Sequence, residues 1–226
     1  MTKPTAIDWL QAQPVFDYFK GRILGRMYDV EEYFQEMHRM LGKKQLQLDQ
    51  SVEEYLKTLD GEQLKFTDKS DFWEDYQLYD AQLPQLAFQS IVILVYSSYE
   101  FALHELCKIV QTMAGLPQGP ARNNIYAYKD YLTENCEIDF PEGNWNEIDN
   151  IRVVRNAIAH YNGTVSDDYS QVEQLKSFIT PRSDISIGKW DEILPKYEFC
   201  VFQISEMKTH LESTIEKTRV KFPDIE

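Results

Sequence analysis

Over most of the chain apolar residues recur every three or four positions, the period of an amphipathic helix, and long stretches run without a glycine or proline to break them. Phe16, Phe19, Ile23, Leu24, Met27, Val30, Tyr33, Phe34 and Met37 trace one face of a helix expected over about 14–41, with Gly42 as its stop signal. Ser51 and Glu54 fit a capping box and place a helix start there. Residues 61–82, rich in Asp, Glu and aromatic side chains, read as a short acidic helical connection. The most hydrophobic stretch, 83–113, carries Leu86, Ile91, Leu94, Tyr96, Ser98, Phe101, Leu103 and Leu106 on more than one face. It predicts a central helix, closed by Gly115 and Pro117.

A short helix is expected around 124–133, and a longer one from Asn144, which with Glu147 offers a capping signal, to about 162. Ile185 and Ile187 alternate within 182–188 and predict one short strand. Ile193, Tyr197, Cys200, Val201, Ile204, Met207 and Leu211 form the stripe of a last helix over about 190–220, in which Pro195 is tolerable only in the first turn. The expected fold class is all-α: a helical bundle over 81–226, an N-terminal helical extension over 1–80 packed on it as one compact unit, and at most one short β segment.

The chain has 226 residues, enough to bury a substantial core, and 43% hydrophobic with 27% charged residues marks a globular rather than a disordered protein. The longest uninterrupted apolar run, 91–96, is far short of a bilayer, and the first residues lack a secretory apolar region. A cytoplasmic protein with no membrane association is expected. Cys107, Cys136 and Cys200 are odd in number and unpaired in spacing, and no His, Cys or carboxylate set has metal-ligand spacing. No metal and no cofactor are therefore expected. A net charge of −14 argues against a broad nucleic-acid-binding surface but leaves room for a small positive cluster.

Such a cluster exists in the helix expected over 144–162. Each residue turns the side-chain direction by about 100°, so Ile151, Val154, Ile158 and Tyr161 share a stripe that should face the core. Arg152, Arg155, Asn156 and His160 fall in a separate sector roughly 140° wide. A guanidinium fork grips phosphate oxygens and stabilises charge in a transition state. An imidazole titrating near neutrality can take the proton of a ribose 2′-hydroxyl or protonate a leaving oxygen. One His160 per chain is half of an acid–base pair, and a two-fold dimer would supply the other half. The same residues also fit a plain polar helix face ended by Asn162-Gly163, with His160 satisfying the last carbonyls. Glu100 and His104, one turn apart on the central helix, either extend the polar site or satisfy each other in the core. His38 and His210 are expected at the surface.

The stretch RNAIAH, Arg155 to His160, with Trp145, Ile148 and the apolar run before it and Gly163 after it, resembles the signature of the HEPN superfamily: Arg, four to six residues, His. The upstream helix VYSSYEFALHELCKIV is similar to the family's central helix, and the resemblance covers roughly residues 84–215. It implies a homodimeric, metal-independent endoribonuclease of a toxin or antiphage system, cleaving RNA to a 2′,3′-cyclic phosphate, with an antitoxin or regulatory protein as a further partner. Arg155 would hold the scissile phosphate, His160 would act as base or acid, and Asn156 would orient one of them. Arg152, Glu100, His104 and Tyr161 are further candidates for substrate binding. Family members paired with a nucleotidyltransferase antitoxin often carry a Tyr two positions after the His, whereas here Tyr161 is adjacent and Asn162 stands in that place. Since non-catalytic HEPN domains also exist, the alternative is an interaction or nucleotide-binding module acting through a partner protein.

Overall fold

The computed structural model describes residues 15–63, 67–113, 115, 119–140 and 142–222. They form an all-α fold with one short two-stranded sheet among the described residues. In chain order the elements are α1 (Val15–Thr58), α2 (Trp73–Gln77), α3 (Leu83–Met113), α4 (Ile125–Asp130), α5 (Glu142–His160), α6 (Val172–Ile179), β1 (Ile185–Ile187), β2 (Ile193–Pro195) and α7 (Tyr197–Lys221). A 3-10 turn at Lys69–Phe72 leads into α2, and π-helical turns occupy Leu78–Gln82 and Tyr131–Asn135.

The axis of the bundle is α3, which packs against α1, α4, α5, α7 and β2. Ile91, Val95, Tyr99, Ala102, Leu103 and Leu106 on α3 are all buried, and full burial of one such large apolar side chain stabilises the fold by roughly 1.5–3 kcal/mol. Leu86, Leu94 and Phe101 of the same helix face solvent instead. By length and composition alone the helical run Ser70–Thr112 could cross a bilayer, a property it shares with the core helix of a soluble protein. The apolar run 91–96 taken by itself understated this.

The first half of α1 belongs to the same core: Ile23, Leu24, Met27, Val30 and Phe34 join the cluster built around α3. Lys20 pairs with Glu216 at 2.6 Å and Lys208 with Glu31 at 2.7 Å, tying α1 to α7. The expected end at Gly42 and the expected start at Ser51 are both corrected, because α1 runs through them to Thr58. A glycine inside a helix costs only about 1 kcal/mol, and Ser51 finds no free amides to cap within a continuous helix. At 44 residues, α1 is about 66 Å long, and beyond Met37 its only buried residue is Val52. This distal half is held by the acidic connection: Gln45 donates to Asp80 at 2.6 Å and Tyr76 to Asp49 at 2.9 Å. Phe16 and Phe19 belong to the expected face, but their side chains lie outside those described; Tyr33 on that face is exposed.

Two further corrections fall after α5, which itself begins at Glu142 and so places Asn144 inside its first turn. The polar stretch after Gly163, for which the pattern predicts no element, contains α6, whose Leu175, Phe178 and Ile179 are buried. The last helix starts at Tyr197, since residues 193–195 pair antiparallel with 185–187 as a second strand. Pro195 therefore ends a strand, where its missing amide costs nothing. Val201, placed on the last helix's inner stripe, is exposed.

Candidate active site on α5

Helix α5 turns Ile151, Val153, Val154, Ala157 and Ile158 into the core. Arg152, Arg155 and Asn156 are left half-buried and His160 is exposed. The division follows from the 3.6-residue period: the five buried positions span less than half the circumference, and the polar residues occupy the rest.

Arg155 and His160 are five residues apart, an axial rise of about 7.5 Å, and point to opposite edges of the polar sector. A hydrogen bond shortens that gap. Arg155 Nη1 donates to Asn156 Oδ1 at 3.0 Å, and Asn156 shares the stripe of His160 one turn on. The Arg155 guanidinium lies 5.4 Å from the ring centre of Tyr96 on α3, and its Nε is buried without an acceptor. Beside it, burial pushes the Glu100 carboxyl above its usual range against the opposing pull of Arg155.

Backbone geometry places His160. Tyr161 N donates to Ala157 O at 3.0 Å and Gly163 N to Ile158 O at 3.1 Å, so backbone amides already satisfy carbonyls of the last turn. Asn162 and Gly163 take φ of 53° and 71°, the left-handed region that turns the chain off the helix. A Cβ on Gly163 would lie 2.5 Å from Gln89 Nε2, which donates to Ile193 O at 2.9 Å. The loop then continues as an added strand: Ile193 N donates to Gly163 O and Val165 N to Asp191 O, both at 2.7 Å. Among the described residues His160 makes no hydrogen bond, so its imidazole is available to a ligand.

Other residues singled out by sequence are differently placed. Arg152 is committed: Nε donates to Asp149 at 2.8 Å, Nη1 to Gln171 at 3.0 Å, and the guanidinium lies 5.2 Å from the Tyr126 ring centre. Tyr126 and Gln174 also donate to Asp149. Burial alone would raise the Asp149 carboxyl, but these bonds outweigh it and hold it low. Tyr161 packs its ring against Tyr169, 5.0 Å between centres. Glu100 and His104 do not satisfy each other; His104 faces the Tyr128 ring at 5.4 Å, with a buried Nδ1 that has no partner. His38 is exposed, its ring centre 4.2 Å from that of Tyr197.

His210 corrects the surface expectation, being 3% exposed in the core. Its Nδ1 meets the Tyr99 hydroxyl at 2.9 Å, and Phe140 and Trp145 flank the ring. Burial first, then the charges of Lys217 and Lys129, push its pKa down to about 4.

No family model, curated protein or solved structure matches this chain. The chemistry of the site is carried by its own groups: an anchored guanidinium, the amide that anchors it, and an open imidazole on one helix face. Asp149 was legible as an i, i+3 partner of Arg152. Gln171, Gln174 and Tyr169 were not, because they lie in the stretch whose helix the pattern missed.

Proposed function

We propose that the chain is a HEPN-like, metal-independent endoribonuclease whose site is completed by a second copy of itself. The observation that carries this reading is the Arg155–Asn156 hydrogen bond next to an exposed, unengaged His160. Arg155 binds the non-bridging oxygens of a phosphodiester. His160 of one copy takes the 2′-hydroxyl proton as the 2′-oxygen attacks phosphorus. The bond to the 5′-oxygen breaks, and the protonated His160 of the other copy supplies the leaving oxygen's proton. The products are a 2′,3′-cyclic phosphate and a 5′-hydroxyl.

A face suited to a second copy lies beside Arg155. On α3, Glu100 is followed around the helix by Ile93, Ser97, Phe101 and Leu94, a mixed apolar and small-residue stripe that is half-buried or exposed. Two-fold pairing across it would face two α5 helices toward one cleft. With a net charge of −14, the RNA would be gripped at this cleft rather than over a broad surface. A cytoplasmic toxin or antiphage component with a regulatory protein partner fits this reading.

Purified protein incubated with single-stranded RNA should cleave it in the presence of EDTA and elute at the mass of two chains. His160→Ala and Arg155→Ala should each lower cleavage on the order of a hundred-fold or more, with helicity and mass unchanged. Undiminished cleavage by His160→Ala, or wild-type activity abolished by EDTA, would overturn the assignment.

One observation favours the second reading, an interaction module. The distal half of α1 and the acidic connection expose the large apolar side chains Met40, Leu46, Tyr55 and Trp73, on more than one face of the helix, where a protein partner could cover them. In that case the wild type cleaves no RNA at any concentration, and a stoichiometric partner is released by Leu46→Lys.

A further inference from the structure

The β1–β2 hairpin carries a tryptophan that stands largely in solvent. Trp190, in the connection between the strands, is 75% exposed, and the Lys189 ammonium lies 5.1 Å from its ring centre. The connection is firmly built. Trp190 N donates to the Glu192 carboxylate at 2.6 Å, Gly188 N to Glu192 O at 2.8 Å, and Asp191 takes a φ of 58°. A Cβ on Gly188 would lie 2.5 Å from the Glu192 carboxyl carbon, so that side chain is packed directly on the turn. The indole is thus held out in water by an ordered turn rather than by a loose loop.

The position of the turn is what connects it to α5. Asp191, next to Trp190, accepts from Val165 N, and Ile193 donates to Gly163 O, so the hairpin is hydrogen-bonded to the loop that leaves α5 immediately after His160. Only five residues separate His160 from Val165, which bounds their Cα distance at about 19 Å. The hairpin therefore lies within the reach of a few nucleotides from a phosphate held at α5. An exposed aromatic face beside a cation is the arrangement that grips unpaired bases: stacking is available to every base, and the ammonium adds a phosphate contact.

We propose that Trp190, with Lys189, is a substrate-positioning element that stacks on an unpaired base flanking the scissile phosphate of single-stranded RNA. This rests on the ribonuclease reading. The carboxylates of Asp191 and Glu192 together outweigh Lys189 at the tip, so what Trp190 itself adds to the grip is stacking, and its loss is insensitive to salt.

The test uses the full-length protein and a short fluorescein-labelled single-stranded RNA of mixed sequence under single-turnover conditions. Trp190→Ala should raise the half-saturating enzyme concentration on the order of ten-fold, leaving the maximal rate unchanged at low and moderate salt, while Trp190→Phe retains most of the affinity. The same ranking should appear in binding of an uncleavable 2′-deoxy oligonucleotide. Unchanged affinity in Trp190→Ala overturns the proposal. So does an affinity loss that follows a fall in molar mass, which would make the indole a subunit contact. Absence of wild-type cleavage overturns the ribonuclease reading, and the binding measurement then still decides whether Trp190 stacks on bases.

Discussion

Two arginines one turn apart on the same helix have opposite fates. Arg155 makes one hydrogen bond, to Asn156, and buries its Nε, whereas Arg152 is bound by both Asp149 and Gln171. Removing Arg152 leaves the half-buried Asp149 without its cation and removes the Gln171 tie between α5 and the segment before α6, leaving the Tyr169–Val153 bond. Arg152→Ala should therefore cost about 1–3 kcal/mol of stability, read as a lowered denaturation midpoint. Arg155→Ala, whose partner Asn156 remains half in contact with water, should shift the midpoint far less. An Arg152→Ala midpoint equal to that of wild type would show that the Asp149 network contributes nothing. The sequence showed both arginines on one polar face, with Asp149 three positions before Arg152, but not Gln171, which reaches Arg152 only through tertiary packing.

At the level of elements, the end of α5 matters more than its length. The histidine stands where the helix unwinds through the left-handed Asn162 and Gly163, and a Cβ on Gly163, at a φ of 71°, would have to push the Gln89 amide aside. Gly163→Ala combines left-handed strain of roughly 1–2 kcal/mol with displacement of the Gln89 amide from Ile193. The expected outcome is a lower melting temperature together with reduced RNA cleavage, since the loop three residues after His160 must shift. Full activity in a variant of lowered stability would detach His160 from this loop. The Asn-Gly signal was legible as a helix stop. Its added pairing with β2 was not, since residues 193–195 were absorbed into the pattern of the last helix.

For the whole molecule, His210 links pH to stability. Tyr99 from α3, Trp145 from α5 and Thr214 from α7 meet around its ring. Its pKa is about 4 in the fold against an ordinary value of 6.5, so the unfolded chain binds the proton more readily. Stability is complete above the unfolded value and falls as pH drops from there through the folded value. Between pH 7 and pH 5 the loss amounts to about 2 kcal/mol from this group. His210→Leu should be less stable than wild type at pH 7, since the Tyr99 hydroxyl loses its partner, but should show a flatter urea midpoint between those two values. A wild-type midpoint independent of pH over that range would exclude a neutral buried imidazole.

Helical period alone was enough for the all-α class, the bounds of α3 and the polar sector of α5, because side-chain direction along a helix follows from a fixed rotation per residue. It could not tell that α1 passes through Gly42 and Ser51, that a second strand precedes α7, or that His210 is buried. Those outcomes depend on what lies opposite each residue, and residues distant in sequence supply it: Tyr76 and Asp80 beside α1, Ile185 to Ile187 beside β2, Tyr99 at His210. The same holds for the candidate site. Residue types and spacing put Arg155, Asn156 and His160 on one face, but only packing ties Arg152 to Gln171 and leaves Arg155 with Asn156 alone.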